Sequence, residues 1–424
     1  MLGNLRAGKH IRRVSKERSD RIAVVGGGPA GFFAAIKCAE ENPTAQITIF
    51  EASNRPLDKI RISGGGRCNV THACFDPKEL IKNYPRGSKE LLGPFYTFQP
   101  TDMINWLKKW GVDIKTEADG RIFPVTDSSM TILNCLKEAA QKNRIKIIIN
   151  TPVTNISYDA DASRFTLGLN QADDFICDKL LLATGSSPQG YKLIRQLGHK
   201  LIPPVPSLFT FKIKDQRLTE LSGISFKEVE VHLPAHKKRL TRGPMLITHW
   251  GLSGPAILKL SAFAARELHE AGYQFKIKIN FVPTINTTQL TEQIERTKKE
   301  LARKQVRSTP LFELPKHYWQ TMLDFIKLEH DTTWANIKKG HLRLLIQELT
   351  AAEFEVSGKG IFKEEFVTCG GVDLKEVDFK TMESRLVPNL YFAGEVLNID
   401  GITGGFNFQN AWTTGWIAGI DLAH

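Results

Sequence analysis

Residues 21–31 read RIAVVGGGPAG, and this stretch decides how the chain begins to fold. Arg21 to Val25 is an apolar, β-branched run of strand length, and Phe32 to Glu40 continues with helical composition. Between them Gly26, Gly28 and Gly31 satisfy GxGxxG in the context that gives the pattern meaning, after a strand and opening a helix. Gly26 allows the tight turn, Gly28 lets a pyrophosphate approach the backbone, and Gly31 lets helix and strand pack closely. Pro29 and Ala30 start a helix whose free N–H groups suit phosphate. After Pro43 a second strand, Gln46 to Phe50, ends at Glu51-Ala52 and completes a βαβ unit. Glu51 lies twenty residues beyond Gly31, where a carboxylate accepts ribose hydroxyls. A Rossmann-type α/β domain that binds a dinucleotide is therefore predicted.

At 424 residues the chain exceeds one ordinary core, and two or three domains are expected. No apolar run approaches the roughly 18 residues of a spanning helix, and charges stand where a signal peptide would be apolar, so the chain is read as cytoplasmic with no membrane segment. Cys38, Cys68, Cys74, Cys135, Cys177 and Cys369 form no CxxC pair, which argues against zinc and a disulfide scaffold, and the histidines besides His249 carry no metal-ligand spacing, so no metal is expected. Cys68 and Cys74 are separated by five residues, one more than the CxxxxC of flavin disulfide reductases, so reduced thiols are expected. The net charge is +12, of which residues 1–20 carry +4 and the other 404 residues +8. Residues 1–20 read as a disordered basic tail, or as sequence upstream of the true start codon. The remaining charge is mild and shows no basic-aromatic stripe, which disfavours nucleic acid as a partner.

Farther along, helices are expected near Thr101 to Trp110 and Ser129 to Asn143, with strands near Lys146 to Ile149 and Asp178 to Ala183 and a glycine-rich loop at Gly64 to Gly66. From about Leu201 short alternating stretches such as Phe209 to Ile213 predict a small antiparallel barrel. Leu290, Ile294, Thr297 and Leu301 recur at helical spacing, as do Ile337, His341 and Leu345. The expected division is a Rossmann-type domain over 21–200 and 359–424, a barrel over 201–286 and 351–358, and a helical subdomain over 287–350. A long helix from about Phe406 carries Ala411, Gly415 and Gly419 every four residues, a stripe suited to close helix packing.

GxGxxG alone does not choose FAD over NAD, since both present the same adenosine and pyrophosphate half. Other blocks choose: IRISGGGRCNV at 60–70, Ala183-Thr184-Gly185, THWGLSGP at 248–255, TCGGV at 368–372, YFAGE at 391–395 and Gly404-Gly405-Phe406-Asn407. In type and order they resemble the BaiN-like family of FAD-dependent oxidoreductases, which includes aminoacetone oxidases. That resemblance spans about residues 21–424 and implies a glutathione-reductase-like FAD domain interrupted by a β-barrel insertion and a helical insertion. It further implies that Arg61, Ser63, Gly64, Gly65, Arg67, Cys68 and Asn69 border the ribityl chain and flavin, and that Val153 offers its backbone to the adenine. Glycines there admit backbone donors, and an arginine can hold phosphate or ring carbonyls bidentately. Gly394-Glu395 resembles the acidic position on the ribityl hydroxyls. Gly405, Phe406 and Asn407 open a helix whose positive end can face the flavin. Asn410 departs from the Trp that many relatives place there, which bears on substrate rather than on FAD.

His249 is the candidate acid or base, because histidine titrates near neutrality. The chain is thus expected to bind FAD non-covalently and to carry out two-electron redox of a small organic substrate, with NAD(P)H as the donor. An amine oxidase using O2 is the alternative within the class, and an RNA-modifying flavoprotein is the alternative from another. No second GxGxxG stands between a strand and a helix, so NAD(P)H would visit transiently. The sequence leaves the oligomeric state open.

Overall fold

A computed structural model describes residues 19–170, 172–236, 239–360 and 367–424. The expected basic tail lies outside them except for Ser19 and Asp20, and Asp20 is an ordered partner: its carbonyl accepts from Gln46 N–H. The first domain is organised by a five-stranded parallel sheet in the order Leu390–Phe392, Lys179–Leu182, Arg21–Val25, Gln46–Phe50 and Lys146–Ile148. Its strands are largely buried apolar runs, as a parallel sheet covered on both faces requires.

Strand register explains why distant segments meet. Val25 pairs with both Phe50 and Leu182, and Leu182 pairs with Phe392. The residues that follow, Gly26, Glu51, Ala183 and Ala393, therefore emerge together at the carboxyl edge of the sheet, where open α/β sheets bind ligands. Against one face lies the helix Pro29–Glu41, packed on the C-terminal helix Phe406–Leu422 through the expected small stripe. A Cβ on Gly415 would come 2.7 Å from the Ala30 carbonyl oxygen, and one on Gly419 2.5 Å from that of Ala34. Only glycine permits this approach.

Six antiparallel strands close into a barrel in the order Phe211–Ile213, Gly251–Ser253, Leu240–Thr248, Ser225–His232, Phe275–Asn280 and Ala352–Lys359. Helices Thr287–Glu300, Lys316–Phe325 and Lys339–Ala351 fall between its last two strands. Barrel and helices share one apolar core, which includes Trp319, Trp334 and Phe354, separate from the core of the first domain. Leu201–Ser207 pairs with Val367–Val372 in a two-stranded ribbon outside the barrel.

Several elements escape the sequence patterns. Ser88–Thr97 is helical despite Pro94, which reads as a breaker, and Val153–Asp159, Arg164–Leu169 and Phe175–Cys177 form a separate three-stranded sheet. Asp58–Gly66 is a helix that ends in left-handed turns at Gly64 and Gly65 rather than a plain loop. None of the described helices is long and apolar enough to cross a membrane.

Candidate functional site

The turn after the first strand is built tightly on two glycines and left open at the third. Gly26 has φ +113°, and a Cβ there would lie 2.4 Å from the Ala183 carbonyl oxygen. A Cβ on Gly31 would lie 2.1 Å from the Gly26 oxygen, whereas one on Gly28 would meet nothing within 4 Å. That open space faces a helix N-terminus with no side-chain cap, and Pro29 supplies no N–H, so the following amides, beginning with Ala30, are the available donors. Glu51 closes one side: its carboxylate accepts from Gly27 N–H and Ser53 N–H, both at 2.8 Å, beside exposed Ala52. Replacing Glu51 with Lys removes both acceptors and should weaken FAD binding by about 1–3 kcal/mol, the scale of lost charge-assisted hydrogen bonds, as measured by titrating apoprotein with FAD.

The Ile60 to Val70 segment is fastened to the C-terminal helix. With its amide oriented to donate to Thr71 O, Asn69 accepts from Gly405 N–H, each at 3.0 Å. Trp412 Nε1 donates to Val70 O at 2.9 Å, and Thr71 Oγ1 donates to Gln409 Oε1 at 2.6 Å. Cys68 lies within this stitched loop at φ +61°, fully buried, where loss of solvation pushes its thiol up to about 12. Cys74 is free as well. A thiolate nucleophile at Cys68 is disfavoured, and both Cys68→Ser and Cys74→Ser should keep flavin reduction by the physiological donor; loss in both, with a charge-transfer band in the wild type, would restore a disulfide mechanism.

Two arginines are turned toward protein partners. Arg67 bonds Glu117 at 2.7 Å and lies 4.1 Å over the Phe123 ring, so its guanidinium is engaged away from the role expected of it. Arg61 pairs with Asp58 at 3.4 Å, while its Nε is buried without a partner. Ser63 Oγ donates to Ile60 O, and its carbonyl accepts from Cys68 N–H. At Gly65 and Gly66, with φ +67° and +82°, a Cβ would meet no atom within 4 Å, so their backbone faces open space.

On the opposite side, Gly394 N–H donates to Thr414 Oγ1, and Glu395 accepts from Thr368 N–H at 3.1 Å while pairing with Lys59. A Cβ on Gly185 would sit 3.8 Å from Glu395 Oε2 and 3.9 Å from Lys59 Nζ, so the Ala183-Thr184-Gly185 turn, Glu395 and Lys59 converge. Thr184 Oγ1 is buried without a hydrogen-bond partner and packs against Gly190, where a Cβ would lie 2.0 Å from it. Sequence reasoning misses Lys59, although it stands immediately before the glycine-rich block.

The C-terminal helix starts at Gly405, φ +96°, again without a side-chain cap. Phe406 stacks on His72 at 4.7 Å, and its carbonyl accepts from Tyr84 OH at 2.6 Å. His72 Nε2 faces the Asp119 carbonyl at 3.1 Å and therefore carries the proton, and burial lowers the ring's pKa. Asn407 spends its amide on the backbone N–H and C=O of Gly401, which fixes that turn instead of leaving the amide free. Val153 opens its strand, buried, with its carbonyl accepting from Gln189. His249 is exposed at the turn joining barrel strands Leu240–Thr248 and Gly251–Ser253. Among the described residues no cluster of His, Cys, Asp and Glu could hold a metal.

Open space at Gly28 and Gly65, two uncapped helix N-termini and the Glu51 and Glu395 carboxylates fit an FAD stretched along the sheet edge. The family model described as HI0933-like protein Rossmann domain matches residues 20–421. A ribosomal RNA dihydrouridine synthase of Escherichia coli (strain K12) is 30% identical, the alignment covering 96% of this chain and 98% of that one. A 3-dehydro-bile acid delta(4,6)-reductase of Clostridium scindens is 28% identical, over 94% and 98% respectively. Among solved structures, a 3-ketosteroid-delta4-(5alpha)-dehydrogenase from Rhodococcus jostii RHA1 superposes with TM-score 0.51 at 13% identity, covering 97% of this chain and 98% of that one, and so shares the fold. With an FAD-shaped edge and a family model that spans nearly all of it, the chain belongs to the HI0933-like Rossmann family of FAD-binding flavoproteins, within the oxidoreductase superfamily.

Proposed function

We propose that this flavoenzyme reduces a carbon–carbon double bond conjugated to a carbonyl, with NAD(P)H as a transient donor. The observation that carries the reading is the chemistry common to two relatives aligned along at least 94% of the chain. A dihydrouridine synthase saturates the uracil double bond next to a ring carbonyl, and a 3-dehydro-bile acid delta(4,6)-reductase acts on a ring alkene conjugated to a ketone. In both, the carbonyl makes the far alkene carbon electrophilic. The blocks at 60–70, 248–255, 368–372 and 391–395 support the narrower BaiN-like membership as part of this reading.

FAD, when bound, supplies the two-electron transfer. The chain's part is to hold and orient: amides beyond Gly28 for the pyrophosphate, Glu51 for the ribose, Glu395 with Lys59 for the ribityl side, and the uncapped start at Gly405 for the electron-rich edge of the ring. His249, exposed on the barrel, is the proposed proton donor. With one glycine fingerprint, nicotinamide and substrate would use one pocket in turn.

The test is anaerobic. Enzyme reduced by NADPH or NADH is mixed with a 3-keto-4-ene steroid or with uridine, and flavin reoxidation and saturated product are followed. Parallel initial-rate lines are expected. Failure to reoxidise with either compound, together with rapid flavin bleaching by an amine and peroxide formation in air, would replace this reading with the oxidase.

A further inference from the structure

The cofactor domain grips the inserted barrel at helix Pro255–Phe263. Arg86 donates to the Ala262 carbonyl at 2.6 Å, and the same guanidinium pairs with buried Asp400, four residues ahead of Gly404. The helix therefore lies against the loop that leads into the C-terminal helix. One turn before Ala262 it carries Lys259, which is half-buried and forms no ion pair among the described residues. Its helix neighbours three and four residues away, Pro255, Ala256, Ala262 and Phe263, bring no carboxylate.

Across the seam stands His72. Its ring stacks on Phe406 at 4.7 Å, and a Cβ on Gly404 would come 3.4 Å from its Cδ2, so the ring lies beside the helix start proposed for the electron-rich edge of the flavin. Burial lowers the pKa of this ring; Asp119 opposes that shift, and Lys259 and Arg121 reinforce it, which places the Lys259 charge within electrostatic reach of His72. The carboxylates of this neighbourhood are already engaged. Asp400 is held by Arg86 and Ser207, Asp119 and Glu117 by Arg121, and Glu395 by Lys59. A lysine commonly lays its stem along apolar surface and ends in water. Here the charge ends at the junction of barrel and cofactor edge, with no protein carboxylate to meet it.

We infer that Lys259 is a catalytic residue that holds the carbonyl oxygen of the conjugated substrate while negative charge builds on it. The inference rests on the proposed reduction. Addition of a hydride derived from NAD(P)H, which leaves as NAD(P)+, to the far alkene carbon breaks the π bond and moves its electron pair through the carbonyl. The oxygen then carries an enolate charge. A proton from the proposed donor His249 joins the carbon next to the carbonyl, so one hydride and one proton saturate the bond. The ammonium meets charge that is absent from the neutral substrate and grows toward the transition state, so it acts on kcat more than on KM.

The experiment uses full-length, FAD-loaded oxidised enzyme and 4-nitrophenol, whose phenolate mimics an enolate and reports its own ionisation by absorbance. Wild type is expected to bind the phenolate and to hold the phenol's pKa below its value in water. Lys259→Met should weaken phenolate binding at least about tenfold, the scale of one charge-assisted hydrogen bond, and abolish the pKa shift, whereas Lys259→Arg should keep both. With NADPH and a 3-keto-4-ene steroid, the Met variant is expected to lose about a hundredfold in kcat with KM little changed. Its FAD content and thermal unfolding should match wild type; Lys259→Gln, similar in length, serves if the Met protein loses FAD. Unaltered phenolate affinity and pKa would overturn the assignment. So would an unaltered kcat beside lost phenolate binding, which leaves Lys259 an anion contact outside turnover. If the variant loses the phenolate while wild type saturates neither steroid nor uridine, the proposed reduction fails and the oxygen-holding site stands.

Discussion

Gly28→Glu should yield a folded protein that no longer retains FAD. The position is unusual among the three glycines of the turn: a Cβ at Gly26 or Gly31 would strike backbone oxygen at 2.4 or 2.1 Å, but at Gly28 it would enter open space. Substitution at the first two therefore breaks the fold and the site together. At Gly28 a side chain can be accommodated, and a glutamate would project into the room the pyrophosphate needs. A carboxylate about 4 Å from a phosphate charge costs about 4 kcal/mol at the effective dielectric of a protein surface, roughly a thousandfold in affinity. The check is paired: FAD content after gel filtration, and thermal unfolding compared with wild-type apoprotein. Retained FAD would mean that the pyrophosphate lies elsewhere.

Arg86→Met should destabilise the protein by about 3–5 kcal/mol without touching the cofactor turn, because it leaves a buried carboxylate unpaired. Arg86 pairs with fully buried Asp400, donates to the Ala262 carbonyl at 2.6 Å and reaches Ser207 Oγ at 3.3 Å. Ser207 Oγ also donates to Asp400, at 2.7 Å. The cluster ties the ribbon strand Leu201–Ser207 and the helix Pro255–Phe263 to the loop just ahead of Gly404-Gly405. It is the polar joint between the inserted barrel and the start of the C-terminal helix.

Burial outweighs the opposing Arg86 charge and holds the Asp400 carboxyl above its ordinary range. A raised carboxyl binds its proton more tightly folded than unfolded, so the stability this contributes is full below the ordinary carboxylate pKa and is lost as pH rises through the folded one. Without Arg86 that pKa rises further, and the variant should recover part of its loss on acidification. Urea unfolding at a series of pH values tests both the size and the sign; a loss independent of pH would mean that Asp400 is not the group left exposed to the change.

Local sequence was enough for the glycine turn and the helix packing behind it. GxGxxG between a strand and a helix, Glu51 at the end of the next strand, and the small stripe Ala411, Gly415 and Gly419 are statements about backbone conformation and close approach, which neighbouring residues dictate. The change from helical to alternating periodicity likewise marked the barrel and the helical segment, because burial on one face imposes a period within a few residues. Local signals failed where the partner is remote. Arg86 meets Asp400 across 314 residues and Lys59 meets Glu395 across 336, and nothing near any of the four announces the other. Arg67 and Asn407 stand in blocks suited to a flavin, yet Glu117 and Gly401 engage them, since a side chain bonds the partner that the folded chain places within reach. Periodicity and glycine spacing thus determined most of the elements and the dinucleotide turn, whereas the return of the chain through the ribbon and the barrel decided which charges face one another, because electrostatic partners depend on distance in space and not on separation in sequence.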